Sequence, residues 1–233
     1  FFGGGATVVS VRDALFRLGT RRVVQLVIAS GVAPVAQAPV EGYQLGGGDL
    51  LRHSVAVGVA AELTARELGL TAPDHVFTAG LLCNLGKIVL GDFLGGMPDD
   101  VFQLAEREGL SFQQAERRLL GIDHAELGAL LLEHWDVPGP ITHCVRWHLD
   151  PSQAPGQGEN PDQNPDLALD LVHCGHVLAT MAGIGQGADG LGYTVCRECL
   201  TRLGLTQESM ADIMASLVDA IEEIEEILGQ IRQ

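Results

Sequence analysis

Basic residues are scarce in this 233-residue sequence, which has 14 Lys and Arg against 30 Asp and Glu and a formal net charge of −16. A surface this acidic repels phosphate backbones, and no basic stripe offsets it, so we expect no direct binding of nucleic acid. Aromatic residues are only 5% of the chain, whereas hydrophobic residues make up 46%. Because strand-favouring aromatics are few and helix formers are plentiful, the composition favours helices around a substantial core.

Long apolar runs are also missing. The longest candidate, residues 23–36, contains Gln25, Ser30, Gly31 and Pro34 and is better interpreted as a buried helix than as a membrane span. The first five residues lack the basic region of a signal peptide. Five cysteines form no regular framework, which favours a reducing, cytoplasmic setting.

No segment alternates with a period of two, so the sequence predicts no sheet, whereas helix start and stop signals occur along most of the chain. We predict helices over 10–18, 20–33, 50–68, a segment from Thr71 and Pro73, segments from Pro98, Ser111, Asp123 and Pro138, and helices over 167–182, 191–203 and 208–231. Residues 151–166, rich in Pro, Gly, Gln and Asn, predict a mobile surface loop.

The last predicted helix has one apolar face and one acidic face. Its apolar residues are Leu217, Ile221, Ile224, Leu228 and Ile231. This face either packs on its own domain or forms a homodimer, and the short length of the seam, about two heptads, favours packing within the chain.

Four ordered motifs distinguish the sequence. They are L-R-H-S at 51–54, A-G-L-L-C-N-L-G-K at 79–87, H-A-E-L-G-A-L-L-L at 124–132 and R-W-H-L-D-P at 146–151. Together they resemble the HD-related output domain, HDOD, a branch of the HD and HD-GYP phosphohydrolase superfamily. The resemblance covers residues 1 to about 184 and implies an all-α, multi-helix HD-domain-like bundle. It divides the chain into a partial N-terminal helical lobe over 1–45 and an HD-like core with the C-terminal helix over 46–233.

The family normally has more helices before its core than this sequence provides. Residues 8–22 resemble the region that precedes the core, so the resemblance implies a chain that is incomplete at its N-terminus. It also implies a regulator of bacterial signal transduction that acts with signalling proteins.

The resemblance implies that the ancestral metal site is degenerate. Catalytic relatives have His-Asp where this sequence has Cys83-Asn84, their last metal-binding Asp aligns with His176, and a paired His-His corresponds to His148-Leu149. A carboxylate at position 84 would bridge hard divalent cations, whereas Asn84 offers a neutral carbonyl oxygen and Cys83 suits softer metals. Hydrolysis of phosphodiesters by the ancestral route is therefore expected to be lost.

The remaining polar residues leave two interpretations open. His53, His124 and His148, which match the family, are either hydrogen-bonded remnants of the old pocket or members of an altered site for zinc or iron. The full candidate set is His53, Cys83, Asn84, His124, His148 and His176. We expect no cofactor in the first case and an altered metal-dependent phosphohydrolase in the alternative.

Two further motifs are weaker. Cys196-x-x-Cys199 has half the ligands of a structural zinc site, so we interpret both cysteines as small apolar residues on one helix face. The glycine-rich segment 183–187 follows a helix rather than a strand, which predicts a helix C-terminus rather than a phosphate-binding loop. The competing functions are thus a regulatory module, an altered hydrolase and a structural dimerisation domain.

Overall fold

The computed structural model describes residues 36–95, 98–155, 166–192 and 195–231. Over these ranges the chain is helical and has no named strand, only an isolated bridge between Val40 and Leu45. The predicted all-α class is therefore confirmed. The helices are α1 (Asp49–Glu67), α2 (Val76–Leu82), α3 (Gly86–Leu94), α4 (Pro98–Glu108), α5 (Phe112–Leu120), α6 (His124–His134), α7 (Gly139–Trp147), α8 (Leu167–Met181), α9 (Arg197–Leu203) and α10 (Gln207–Ile231).

Helix α1 lies at the centre of the bundle and packs against α2 and α8. Its buried face is lined by small side chains such as Ala56, Ala60 and Ala61, which let neighbouring backbones approach closely. On α8, a Cβ at Gly175 would overlap the carbonyl oxygen of Val57. The absence of a side chain at this crossing brings α1 and α8 together, and both helices carry histidines that face the pocket described below.

Predicted helix starts at Ser111 and Asp123 are confirmed by their capping hydrogen bonds. Ser111 and Gln114 form a reciprocal capping box at the start of α5. The Asp123 carboxylate accepts a hydrogen bond from the Glu126 backbone N–H at the start of α6. Each side chain satisfies a backbone donor that the first helical turn leaves without an intrahelical acceptor.

Helix α2 starts later than the sequence predicts. Thr71 and Pro73 lie in an extended and turn region, and α2 begins at Val76. By length and composition Val76–Leu94 could cross a membrane, contrary to our expectation, but 72% of its most apolar window is buried within the fold. A buried core segment of a helical bundle passes the same test, so the segment is weak evidence for a membrane span.

Predicted loop residues 151–166 are only partly described. Pro151–Gln153 form a short 3-10 helix, and both Pro151 and Ala154 are buried, so the start of this segment is packed rather than a surface loop. Residues 156–165 lie outside the described ranges. The prediction differs from the structure because the composition of the whole segment gives no sign that Pro151 and Ala154 are buried.

At the C-terminal end, helix α9 begins at Arg197, not at Leu191 as predicted. Ala188–Leu191 form a separate 3-10 helix, and Cys196 is the residue that precedes α9. Helix α10 matches the predicted range within one residue at its start. Ile213, Leu217 and Ile221 are buried in the same core as α1 and α8, so the described part of this face, up to Ile224, packs within the chain.

Predicted helices over 10–18 and 20–33 lie outside the described residues. Of the proposed N-terminal lobe, the described part contributes Val40, Tyr43 and Leu45 to an apolar cluster that also contains Leu90 of α3 and Phe112 of α5. The boundary at residue 45 therefore remains a prediction.

Candidate functional site

The six candidate residues come from five places in the sequence and surround one region of the core. His53 lies on α1, Cys83 and Asn84 follow α2, His124 begins α6, His148 follows α7, and His176 lies on α8. All six are buried, with His53 the most exposed at 5%. Burial of six polar side chains in an apolar bundle costs free energy unless each finds a partner, so their contacts decide what the site can do.

Four histidine rings form a continuous chain through the pocket. The centroid of the His176 ring lies 5.3 Å from that of His53 and 5.2 Å from that of His148, both close to perpendicular. The His148 ring lies 6.2 Å from the His124 ring. The structure thus brings together all four histidines that the sequence singled out.

Cys83 and Asn84 lie at the same pocket. The Asn84 side-chain amide donates a hydrogen bond to Cys83 Sγ at 3.1 Å. Sγ of Cys83 and one ring nitrogen each of His148 and His176 all lie within 4.8 Å of one another. Among the described residues these three form the group of possible metal ligands, and none is a carboxylate.

Two of the histidines are anchored by backbone carbonyls. His53 Nδ1 donates to the Ile184 carbonyl at 2.8 Å, and His148 Nδ1 donates to the Val145 carbonyl at 2.8 Å. Because a carbonyl oxygen only accepts, both Nδ1 atoms carry protons. The ring orientation at each site is therefore fixed by the fold.

His124 is held by a carboxylate that the sequence did not reveal. Glu116 of α5 accepts from His124 Nδ1 at 2.8 Å and from the His124 backbone N–H at 3.0 Å. The hydroxyl of Tyr43 donates to the same carboxylate at 2.6 Å. Burial and the neighbouring Glu116 charge raise the pKa of Tyr43 well above its ordinary value, so its hydroxyl remains protonated as a donor.

A buried ion pair borders the pocket. The Lys87 ammonium lies 2.7 Å from Asp189 Oδ2, and both side chains are almost fully buried. Lys87 Nζ also lies 5.5 Å from the centre of the Tyr43 ring. Burial is the main cause of the lowered pKa values of His53, His148 and His176, and the charge of Lys87 lowers them further.

The pocket keeps its ionisable groups neutral. Burial lowers the pKa of His53 to about 4 and that of His148 to about 3, and it lowers the pKa of His176 well below the ordinary value. Burial also raises the pKa of the Cys83 thiol to about 12. In all four groups the charged form is disfavoured because it would lose its hydration.

The residues that sequence analysis missed are Glu116, Lys87, Asp189 and the Ile184 carbonyl. Lys87 was within a quoted motif, and a Lys between buried Leu85 and Leu90 already indicates a buried acidic partner. That partner, Asp189, lies 102 positions away, so only the fold identifies it. A backbone carbonyl such as that of Ile184 gives no signal in a sequence.

The second cysteine pair lies apart from this pocket. Cys196 and Cys199 are both buried, with their sulfurs 2.9 Å apart, but Cys196 precedes α9, so the two do not share one helix face as predicted. His173, also buried, is hydrogen-bonded at both ring nitrogens: Nδ1 donates to the His148 carbonyl and Nε2 accepts from the Cys196 backbone N–H. His173 is therefore a structural residue that joins α7, α8 and α9.

The glycine-rich segment after α8 is a helix C-terminus, as predicted. Gly183 and Gly185 have positive φ, and the Ile184 N–H bonds back to the Ala179 carbonyl. Gly185 also packs against the backbone of His53, where a Cβ would overlap the Asp49 carbonyl. The segment positions the Ile184 carbonyl against α1 rather than cradling a phosphate.

The family model for the HDOD domain matches residues 1–151, which is more than half of the chain. The chain therefore belongs to the HDOD domain family, as the sequence motifs indicated. No curated protein matches the chain significantly.

Solved structures agree in fold. An HDOD domain protein of unknown function from Geobacter sulfurreducens is 21% identical with a TM-score of 0.60, over 93% of this chain and 76% of that one. The "Putative signal transduction protein" of Marinobacter aquaeolei VT8 is 23% identical with a TM-score of 0.66, over 98% of this chain. The chain spans about half, 49%, of that protein. The "Putative phosphohydrolase" of Shewanella amazonensis SB2B is 22% identical with a TM-score of 0.58, over 89% and 77%.

The metal chemistry that the superfamily resemblance implies does not fit these residues. Hard cations such as Mg²⁺ and Mn²⁺ need carboxylate or carbonyl oxygens. Here the group of possible ligands in the described part of the chain is one thiol and two imidazoles. Asn84 could offer its Oδ1 atom, which has no hydrogen-bond partner among the described residues, but this oxygen carries no charge.

Proposed function

We propose that this chain is a non-catalytic regulatory module of bacterial signal transduction that acts by binding a signalling protein or a small ligand. Membership of the HDOD family supports the regulatory role. A cytoplasmic location and the absence of direct nucleic-acid binding, both expected from the acidic composition and reduced cysteines, are part of this proposal.

The observation that carries the proposal is the missing carboxylate at Asn84. A phosphohydrolase of the ancestral kind needs an acidic residue here to hold hard cations and to generate a nucleophilic hydroxide. Asn84 instead donates its amide to Cys83. The two nearby acidic side chains are already engaged, Glu116 with His124 and Asp189 with Lys87.

The positive charge of Lys87 supports the same conclusion. This ammonium engages the Asp189 carboxylate, so that carboxylate offers little negative charge to a hard dication, and the neutral Asn84 amide offers none. The pocket therefore lacks the negative charge that magnesium or manganese requires.

The test is turnover of phosphodiesters and cyclic dinucleotides by purified protein in Mg²⁺ or Mn²⁺. We expect no turnover above a buffer blank, and the same result for His148→Gln. Turnover by the wild type that disappears in His148→Gln would overturn the proposal, because it would place catalysis in this pocket.

A second candidate is an altered metal-dependent phosphohydrolase that uses the His/Cys set. It is favoured by one observation: three possible ligands lie together, and catalytic zinc sites have three protein ligands. Repeating the turnover assay with Zn²⁺ or Fe²⁺ in place of Mg²⁺ separates the two candidates, and we expect no turnover there either.

A further inference from the structure

Three side chains that suit a soft metal point into one buried space. Cys83, His148 and His176 are at most 1% exposed, and their candidate ligand atoms all lie within 4.8 Å of one another. Thiolate sulfur and imidazole nitrogen are the ligands that zinc prefers in proteins. Burial alone would also fit a remnant pocket, so the positions of the protons decide between the two interpretations.

His148 presents its unprotonated nitrogen to the pocket. Its Nδ1 carries the proton that is donated to the Val145 carbonyl. In a neutral imidazole whose Nδ1 carries the proton, the lone pair lies on Nε2. That Nε2 is fully buried and has no hydrogen-bond partner among the described residues.

The proton on His176 follows from its neighbour. His53 donates Nδ1–H to the Ile184 carbonyl, so in the neutral imidazole its Nε2 can only accept. His53 Nε2 lies 3.4 Å from His176 Nδ1, and this contact is a hydrogen bond when His176 Nδ1 carries the proton. In the neutral His176 ring the lone pair is then on Nε2, and His53 serves as the partner that orients a metal-binding histidine.

Cys83 is oriented in a similar way. The Asn84 amide donates to Sγ at 3.1 Å, which favours the thiolate over the thiol. Without a metal the thiol is protonated, and this proton leaves to solvent when Sγ binds a cation. The thiolate then supplies the negative charge that Asn84 does not.

His173 shows that this arrangement is not general to buried histidines in the fold. Its two ring nitrogens are both occupied by backbone groups, and it lies next to the Cys196-Cys199 pair rather than in the pocket. A histidine that only satisfies structural hydrogen bonds uses both nitrogens, whereas His148 uses one and aims the other inward.

We infer that the pocket binds one soft transition-metal dication, with zinc the best match, through Cys83 Sγ, His148 Nε2 and His176 Nε2. The fourth position is left for water or a small ligand. Ligand atoms around tetrahedral zinc are roughly 3.3–3.8 Å apart, so the three ligand atoms would move closer together by no more than about 1.5 Å. The inference deepens the proposed regulatory function, on which it rests, by naming the class of ligand as a metal ion or a metal-bound small molecule.

Cobalt titration of the whole chain tests the inference. The protein is purified without a tag, freed of metal with a chelator and titrated with Co²⁺, which reports thiolate ligation by a sulfur-to-cobalt charge-transfer band. We expect one Co²⁺ per chain, displaced by Zn²⁺. Cys83→Ala is expected to abolish the band, and His148→Gln is expected to weaken binding by at least about 100-fold, as the loss of a ligand exceeds typical losses of outer partners.

Cys174→Ala is the matched control. Cys174 is a buried cysteine on α8, near His176 in sequence but outside the ligand group, so its replacement should leave stoichiometry and the band unchanged. Cys196→Ala tests the competing dithiol, and we expect the band to survive in it. If Cys83→Ala does not fold by circular dichroism, His148→Gln and His176→Gln carry the test.

Three outcomes overturn the inference: no stoichiometric Co²⁺ or Zn²⁺, a charge-transfer band that survives in folded Cys83→Ala, or a band lost in Cys196→Ala alone. Failure of the proposed function has a different signature. A metal-bound protein that hydrolyses phosphodiesters would contradict the non-catalytic role and leave the metal site intact. A protein with neither metal nor turnover would contradict the metal site and leave the regulatory role intact.

Discussion

Lys87 Nζ and Asp189 Oδ2 lie 2.7 Å apart in the core, although 102 positions separate them in the sequence. Their side chains are 4% and 2% exposed. The pair ties α3 to the 3-10 helix after α8, next to the segment whose Ile184 carbonyl holds His53. This ion pair therefore joins one wall of the pocket to another.

Lys87→Met should destabilise the protein by roughly 3–5 kcal/mol, because it leaves the Asp189 carboxylate buried without its cation. Lys87→Met combined with Asp189→Leu should lose much less, since no isolated charge remains. Urea unfolding followed by circular dichroism measures both. Arg107→Gln, which breaks an exposed ion pair with Glu108, is the control and should change stability by less than about 0.5 kcal/mol. Equal losses in the single and double variants would contradict this account.

Glu116→Gln should cost about 1–3 kcal/mol, because an amide cannot accept all the hydrogen bonds that the carboxylate accepts from Tyr43 and His124. Tyr43→Phe removes one of those donors. A double-mutant cycle with these two changes should therefore show positive coupling in the free energy of unfolding. Exposed Glu106→Gln on α4 is the control. Additive effects in the cycle would mean that Tyr43 and Glu116 do not depend on each other.

Acid should destabilise the protein through its buried histidines. In the unfolded chain a histidine takes up a proton near pH 6.5, but the folded-state pKa of His53 is about 4 and that of His148 is about 3. Between those values the unfolded state binds more protons, so stability falls as pH falls. In the presence of a chelator, His53 and His148 should each lower the free energy of unfolding by about 2 kcal/mol when the pH falls from 7.5 to 5.

His148→Gln isolates this contribution. The variant lacks one titrating group, so its free energy of unfolding should fall by about 2 kcal/mol less than that of the wild type over the same pH range. Replacement of the exposed His134 by Gln should leave the wild-type slope. If the His148→Gln and His134→Gln slopes agree, burial of His148 does not set the pH dependence.

Gly86→Ala should destabilise the protein by about 1–3 kcal/mol through overpacking. A Cβ at this position would overlap the His124 carbonyl oxygen and lie 2.7 Å from the Gly128 N atom, so α3 and α6 would have to separate. Gly139→Ala, where a Cβ meets nothing within 4 Å, is the control and should be neutral or slightly stabilising. The midpoint of thermal unfolding measures both, and a neutral Gly86→Ala would show that this crossing is loosely packed.

Local signals in the sequence were sufficient for most helix starts. Ser111 and Asp123 begin α5 and α6 because their caps depend on residues only three positions away. The start of α9 was misplaced because Leu191 ends a separate 3-10 helix, which the apolar pattern does not distinguish from the α-helix that begins at Arg197. Helix caps can be predicted from the sequence because they depend on neighbouring residues. The break before α9 depends on the tertiary contacts of the segment, which the sequence does not show.

The sequence predicted which residues line the pocket, but it did not predict the hydrogen bonds that fix their protonation. Spacing and motif order identified His53, Cys83 and His148, which the fold places around one space. The atoms that fix their protons are backbone carbonyls at Ile184 and Val145, one of them 131 positions from its histidine. Every residue has a carbonyl, so no sequence pattern could have indicated which ones accept these bonds.

His173 makes the packing of α7, α8 and α9 less dependent on the length of the chain segments that connect these helices. Its two hydrogen bonds clamp the end of α7 and the start of α9 directly to α8, independently of the chain that connects them. Insertions or deletions between residues 155 and 166 therefore need not displace His148. The positions of His148 and His176 would then depend on the helices that carry them and not on the length of this connection.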